Sequence, residues 1–352
     1  MAHPTSGPEN SAVTGQGETT SPALIRAVLL RLGLLADADL PLRCEPLAGG
    51  VSSDIWRVES GVRRWCFKRA LPKLRVAADW QVPVERSCYE ARWLEVAQRL
   101  APGAAPQLYG YDAPAQALVM AYLDPEQHPV WKGELRDGRI DAFVAGALAA
   151  RLAAIHRGTA GDARVAAQFP TDALFHALRL EPYLVEAARR HPRVAERLDA
   201  LVATTAATRL ALVHGDVSPK NILVGPAGPV LLDAECAWYG DPAFDLAFCL
   251  NHLLLKCAWR PANAVGYLQC FDALAGGYLE QVDWEPPAAL ERRAAALLPA
   301  LMLARVDGKS PVEYLTDDAD RERVRRFALA RVAQPAPRVA DIAAEWGEAV
   351  RQ

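Results

Sequence analysis

The sequence predicts a two-lobed α+β protein, a small antiparallel-sheet lobe followed by a larger, mainly helical one. Three observations predict it. Residues 43–122 alternate short β-prone runs with turn residues and hold one helical stretch among them. Beyond residue 124 apolar residues recur at helical spacing almost to the C-terminus. The chain has 352 residues, 51% of them apolar, which is enough for two cores.

Taken in order, residues 1–20 are rich in Ser, Thr, Gly and Pro and read as a disordered leader, without the basic start or apolar stretch of a signal peptide. Pro22 opens a helix running to Leu35, with Leu24, Ile25, Val28, Leu29 and Leu32 at helical spacing. Extended pieces follow at 43–47, 54–58 and 64–69, the last two joined by the hairpin signal Glu59-Ser60-Gly61-Val62. A helix over 84–100 stops at Pro102-Gly103, and strands follow at 107–111 and 117–122. Asp124-Pro125 breaks the last strand, so the first lobe spans 21–123 and the second 124–335. The second lobe has helical patterns at 142–156, 171–190, 194–210, 242–256, 262–281, 287–306 and 321–332. Residues 336–352 form a tail or a further helix.

Bulk properties exclude several classes of function. A formal net charge of -3 gives no footprint for nucleic acid or a membrane surface. No apolar run is long enough to span a bilayer; the strongest, 294–304, ends before Arg305 and Asp307. The seven cysteines are odd in number and form no CxxC pair, which predicts reduced thiols in a cytoplasmic protein. Cys66, Cys88, Cys236 and Cys249 lie in apolar surroundings and read as core. Oligomeric state stays open.

The most informative segment is Leu212-Val213-His214-Gly215-Asp216-Val217-Ser218-Pro219-Lys220-Asn221-Ile222-Leu223-Val224, followed by Val230-Leu231-Leu232-Asp233. Phosphoryl transfer needs one carboxylate to orient an attacking hydroxyl and accept its proton. It also needs an amide oxygen and a second carboxylate to hold the metals that neutralise a triphosphate. Asp216 fits the first role, and Asn221 and Asp233 the second. An isolated His-Gly-Asp is also an ordinary turn, with Asp bonding its own backbone. Here the Asp-to-Asn spacing, the strand-like 222–224, the turn at Gly225 to Gly228 and the strand ending in Asp233 occur in the order that chemistry requires.

These residues, with Leu232-Asp233-Ala234-Glu235 and Gly240-Asp241-Pro242-Ala243-Phe244-Asp245-Leu246-Ala247, resemble the aminoglycoside phosphotransferase family, which includes choline, homoserine and methylthioribose kinases. The resemblance runs from about residue 42 to about 330 and implies a protein-kinase-like fold binding ATP and Mg2+. It implies that the backbone of Met120-Ala121-Tyr122-Leu123 meets the adenine edge, although Met120 and Tyr122 also read as core residues at a strand end.

Other site residues follow from position. Gly49, Gly50, Ser52 and Ser53 lie between the first two strands, where small residues admit phosphate oxygens to backbone N–H groups and hydroxyls add donors. The same Gly-Gly also suits a plain hairpin. Lys68 ends an apolar strand, and its ammonium is expected to enter the cleft and meet the phosphates. Glu90, in the middle of the next helix, is the expected partner. Glu85 sits in the first turn, where the helix dipole already favours a carboxylate. His214 is expected to bond backbone, Asp241 to cap the following helix, and Asp245 to brace the loop.

Ser218 and Lys220 are accessory candidates, Lys220 either reaching the transferred phosphate or staying solvated. Glu235 either joins the metal, positions the acceptor or lies exposed. Arg305-Val306-Asp307-Gly308-Lys309-Ser310-Pro311 reads as a polar turn bordering the acceptor, with a charged helix end as the competing reading. The expected partner is a small hydroxylated molecule. A protein kinase is disfavoured, because Asp233-Ala-Glu is followed by a helix start near Pro242, leaving no room for a peptide-docking segment. A catalytically dead nucleotide-binding scaffold is the alternative from another class; it is disfavoured by the presence of Lys68, Asp216, Asn221 and Asp233.

Overall fold

The computed structural model describes residues 20–47, 52–71 and 83–351. Gly49, Gly50 and nearly all of the leader lie outside them. The first lobe holds α1 (Pro22–Arg31), β1 (Arg43–Pro46), β2 (Ser53–Ser60), β3 (Arg63–Ala70), α2 (Arg86–Leu100), β4 (Leu108–Asp112) and β5 (Ala117–Ala121). The strands form one antiparallel sheet in the order β1-β2-β3-β5-β4. Pro22 and the Ser21 hydroxyl, which accepts from Leu24 N, start α1. The helix stops at Arg31, short of the expected Leu35, because Gly33 takes a left-handed φ of +68°. A core of Ile25, Val28, Leu29, Val58, Trp65 and Phe67 packs α1 on one face of the sheet. Helix α2 lies on the other.

The second lobe continues with α3 (Trp131–Arg136), α4 (Ala142–Thr159), α5 (Ala163–Gln168), α6 (Asp172–Phe175), α7 (Glu186–Arg190) and α8 (Ala195–Ala207). Between α6 and α7 the chain is π-helical over His176–Val185, where the sequence predicts ordinary helix; Pro182 lies inside it. Short strands β6 (Ala211–Val213), β7 (Ile222–Gly225), β8 (Gly228–Leu231) and β9 (Trp238–Gly240) follow, paired β6 with β9 and β7 with β8. The chain ends in α9 (Pro242–Trp259), α10 (Ala264–Leu279), α11 (Pro287–Asp307), α12 (Asp318–Ala333) and α13 (Val339–Ala349). Every residue of α9 from Pro242 to Ala258 is buried, which makes it the axis of this lobe. Trp346 of α13 packs into the same core, so residues 339–349 are helix rather than tail. No helix among the described residues is long and apolar enough to cross a membrane. Cys66, Cys236 and Cys249 are buried as expected, whereas Cys88 is only half-buried.

Candidate active site

A cleft of about 580 Å³ opens between the sheet and the helical lobe. Its upper wall comes from Ser52 and Ser53 at the start of β2, Lys68 on β3, and Met120 and Tyr122 at the end of β5. Its floor carries Asp216, Lys220, Asn221, Asp233 and Glu235. Residues as far apart in sequence as Ser52 and Glu235 thus share one space.

Lys68 sits between Ile55 and Leu118 in register and is 4% exposed. Its ammonium donates to both Glu90 oxygens at 2.7 Å and to Asp233. Both carboxyls are pulled down by the shared ammonium, yet their net shifts are opposite. Burial pushes Glu90 up to about 7 against the pull of Lys68. Burial also opposes ionisation of Asp233, but Lys68 and Lys220 hold it well below the usual carboxylate range. Glu85 precedes α2 without capping it through its side chain.

The loop after β6 is locked from below. Asp245 on α9 accepts from His214 N at 2.7 Å and Gly215 N at 2.8 Å. His214 Nδ1 accepts from Asp216 N at 3.1 Å, so Nε2 carries the proton and donates to Leu232 O at 3.0 Å. Burial depresses its pKa, consistent with a neutral imidazole. Gly215 has φ +78°, and a Cβ there would lie 2.5 Å from the carbonyl oxygen of Cys236. Asp233 itself takes φ +68°, a conformation costly for a residue with a side chain. Asp241 caps α9 by accepting from Ala243 N, and Arg293 pairs with it.

Asp216 is 4% exposed and is approached by three donors: Asn221 Nδ2 at 2.9 Å, Arg179 Nη2 at 2.9 Å and Lys220 Nζ at 3.2 Å. All three meet Oδ2, and no described residue hydrogen-bonds Oδ1. Burial opposes its ionisation, yet Arg179 and Lys220 keep its pKa below the ordinary value.

Two residues of the site, Arg179 and Arg86, escape the sequence reading. Arg179 lies on the π-helical segment, where a 3.6-residue period does not say which way a side chain points. The available signal was an arginine between Leu178 and Leu180 in an apolar stretch. Arg86, in the first turn of α2, is fully buried, binds Glu235 Oε2 through Nε at 2.9 Å and donates to Ser52 O. Glu235 is therefore neither simply exposed nor free. Ser218 is buried with an unpartnered hydroxyl.

The 305–311 turn divides: Ser310 lines the cleft, whereas its charged residues lie behind the wall. Arg305 and Asp307 are each 8% exposed, and neither lines the cleft. Asp307 takes Arg325 on both oxygens, at 2.6 and 2.7 Å, and His191 at 2.8 Å, so it ties α11 to α12 and to the end of α7. Arg305 Nη1 donates to Tyr183 and to the backbone and hydroxyl of Ser310. Asp317, in the acidic run before α12, is a helix N-cap.

The donor set at the floor consists of carboxylate and amide oxygens, the hard ligands that suit magnesium rather than zinc. The residues present therefore fit a metal-bound triphosphate, with Asp233 and Asn221 to hold the metal and Lys68 the phosphates.

The model of the phosphotransferase enzyme family, APH, matches residues 43–278. The match covers more than half of the chain, which belongs to that family. The chain is similar to the methylthioribose kinase of Cronobacter sakazakii, 26% identical over 245 residues, which is 61% of this chain and 60% of that enzyme. It thus spans about 60% of the length of such curated relatives. Its fold resembles that of Plasmodium vivax ethanolamine kinase, with a TM-score of 0.54, 13% identity and 92% of each chain covered. It also resembles a choline/ethanolamine kinase family protein from Mesorhizobium loti, with a TM-score of 0.50, 17% identity, and 94% of this chain and 98% of that one covered. The two-lobed, kinase-like α+β fold expected from the sequence is the fold observed.

Proposed function

We propose that this protein is a cytoplasmic, ATP- and magnesium-dependent phosphotransferase that phosphorylates a hydroxyl of a small molecule. One observation carries the reading: Asp216, Asn221 and Asp233 converge with the Lys68–Glu90 pair on a single cleft. The relatives named as methylthioribose kinases support the class of reaction.

Each residue then has a task. Lys68, kept charged by Asp233 and Glu90, holds phosphate oxygens, with Ser52 and Ser53 beside it and Met120 and Tyr122 flanking the base. Asn221 and Asp233 hold the metal, which supplies neutralisation of the triphosphate charge. Asp216 receives the acceptor hydroxyl on Oδ1, because Oδ2 is already occupied by its three donors. That hydrogen bond aims the nucleophile, and Oδ1 takes the proton as the new P–O bond forms and the bond from the γ-phosphorus to ADP breaks. Only four residues separate Asp233 from β9 at Trp238, and α9 starts at Pro242, so the floor carries no peptide-docking segment of the protein-kinase kind.

Asp216→Asn keeps the shape and removes the charge. It should lower kcat by roughly two to four orders of magnitude, the usual worth of a general base, with Mg-ATP binding by calorimetry little changed. A variant retaining more than about a tenth of wild-type kcat sinks the assignment.

A further inference from the structure

The acids and bases around the helical end of the cleft do not balance. Two cations, Arg179 and Lys220, serve the single carboxylate of Asp216. The other two acids of the floor, Asp233 and Glu235, are already answered by Lys68 and Arg86. Behind the wall made by Tyr183 and Ser310 stands Arg305, 8% exposed, hydrogen-bonded to both but to no carboxylate, with its Nε unpartnered. Deeper in the lobe Lys256 is 1% exposed and its Nζ has no hydrogen-bond acceptor. It lies 5.0 Å from the centre of the Trp259 ring and 4.6 Å from that of Tyr314.

The acids near these charges have cationic partners of their own, Glu313 included, which acts on both Lys256 and Arg305. Glu313 pairs with Lys132, Glu181 with Lys309 and Arg189, and Asp307 with Arg325. Buried His252 reports the resulting field: burial depresses its pKa first, and the charges that add to the effect, Arg305, Lys256, Lys220 and Lys132, are all positive. A buried charge without a counter-ion costs stability, so its retention points to a task outside the fold's own needs.

We infer that the acceptor carries, beside its reactive hydroxyl, an anionic group, carboxylate or phosphate, which Lys220 and the Ser310–Tyr183 wall receive at the helical end of the cleft. The inference rests on the kinase reading above and narrows its substrate. Lys220 makes the ionic contact; Arg305 acts through Ser310 and Tyr183; Lys256 contributes only its field, because it does not reach the cleft. The triphosphate competes for Lys220 but not for the cations behind the wall. A polycationic acceptor would bring like charge to a region already positive, at a cost that grows as water is excluded.

The test varies charge on fixed skeletons: glycerate, glycerol and 3-amino-1,2-propanediol, then gluconate, glucose and glucosamine, with glucose 6-phosphate separating phosphate from carboxylate. Acceptor-stimulated ADP release is measured at saturating Mg-ATP. Compounds that do not stimulate are tested as inhibitors of basal ATP hydrolysis. The expected result is that the anionic member of each series exceeds its neutral and cationic relatives by at least about tenfold in kcat/KM, or in inhibition, about 1.4 kcal/mol of discrimination. Arg305→Met should shrink that ratio by raising the KM, or inhibition constant, of the anionic member alone. Equal response to all charges, preference for a neutral or cationic member, or no response to any anion overturns the inference. Loss of Mg-ATP binding and of all ADP release in the wild-type protein instead sinks the kinase reading, and the two failures are told apart by calorimetry with Mg-ATP alone.

Discussion

Lys256→Met should stabilise this protein at neutral pH, by an amount that disappears in alkali. Burial, followed by the nearby charge of Lys132, lowers the Lys256 pKa from 10.5 to about 8. A fall of that size corresponds to about 3 kcal/mol of disfavour for the charged form, at 1.36 kcal/mol per unit. The rings of Trp259 and Tyr314 return about 1–2 kcal/mol as cation–π attraction. The net gain on replacing the ammonium by a thioether of similar volume is therefore about 1–2 kcal/mol at pH 7. The sign with pH follows from proton counts. Between pH 8 and 10.5 the unfolded chain holds the Lys256 proton and the folded chain has shed it, so wild-type stability rises with pH across that window. The variant lacks this rise. Urea unfolding of both proteins at pH 7, 8.5 and 10.5 provides the assay, and their difference cancels every other group titrating there. A variant less stable than wild type at pH 7, or a difference that does not shrink by pH 10.5, would show that Lys256 has a partner and refute the electrostatic account of this site.

Two further outcomes concern named carboxylates. Asp233→Ala should abolish turnover and weaken magnesium-dependent nucleotide binding, because the triphosphate loses a counter-ion ligand and Lys68 loses a partner; unchanged Mg-ATP binding by calorimetry would remove Asp233 from the site. Asp307→Ala should lower the unfolding free energy by the worth of a buried bidentate pair, about 2 kcal/mol, and the melting temperature with it, while leaving the KM for ATP near wild type. Although burial opposes it, Arg325 and His191 depress the Asp307 pKa, so this stability is present above the unfolded carboxylate pKa and is lost as pH falls through the folded value. A raised acceptor KM with no thermal loss would instead place Asp307 at the acceptor site.

What could be read from sequence was what the chain keeps local. The floor of the cleft lies within the 20 residues from Asp216 to Glu235, and strand–turn–strand spacing is enough to bring its groups together. The Lys68–Glu90 contact was legible because a strand end and a helix middle each fix one side chain's direction. For the opposite reason, the place of Asp307 in the 305–309 turn was not legible. Five residues with two cations and an anion look solvated, yet Arg325 and His191 reach Asp307 from α12 and α7, and no periodicity reports such pairings. Arg179 was missed because π-helical geometry over His176–Val185 resets the helical phase that would have assigned its face.

Those long-range partners alter the chemistry that the motif alone implies. A general base acting near neutrality is expected to have a pKa close to the working pH. Asp216 instead has its pKa depressed by Arg179 and Lys220 against the cost of burial, which makes it a poor proton acceptor before reaction begins. The acceptor hydroxyl itself becomes acidic only as its oxygen bonds to phosphorus. A carboxylate held ionised, with one oxygen fixed by three donors and the other left open, is suited to orienting that hydroxyl first and receiving its proton late. The phosphoryl transfer such a site promotes therefore depends on alignment and charge placement more than on the strength of the base, as a loose transition state requires. Arg179 sets that balance, and it lies on the segment whose geometry the sequence did not predict.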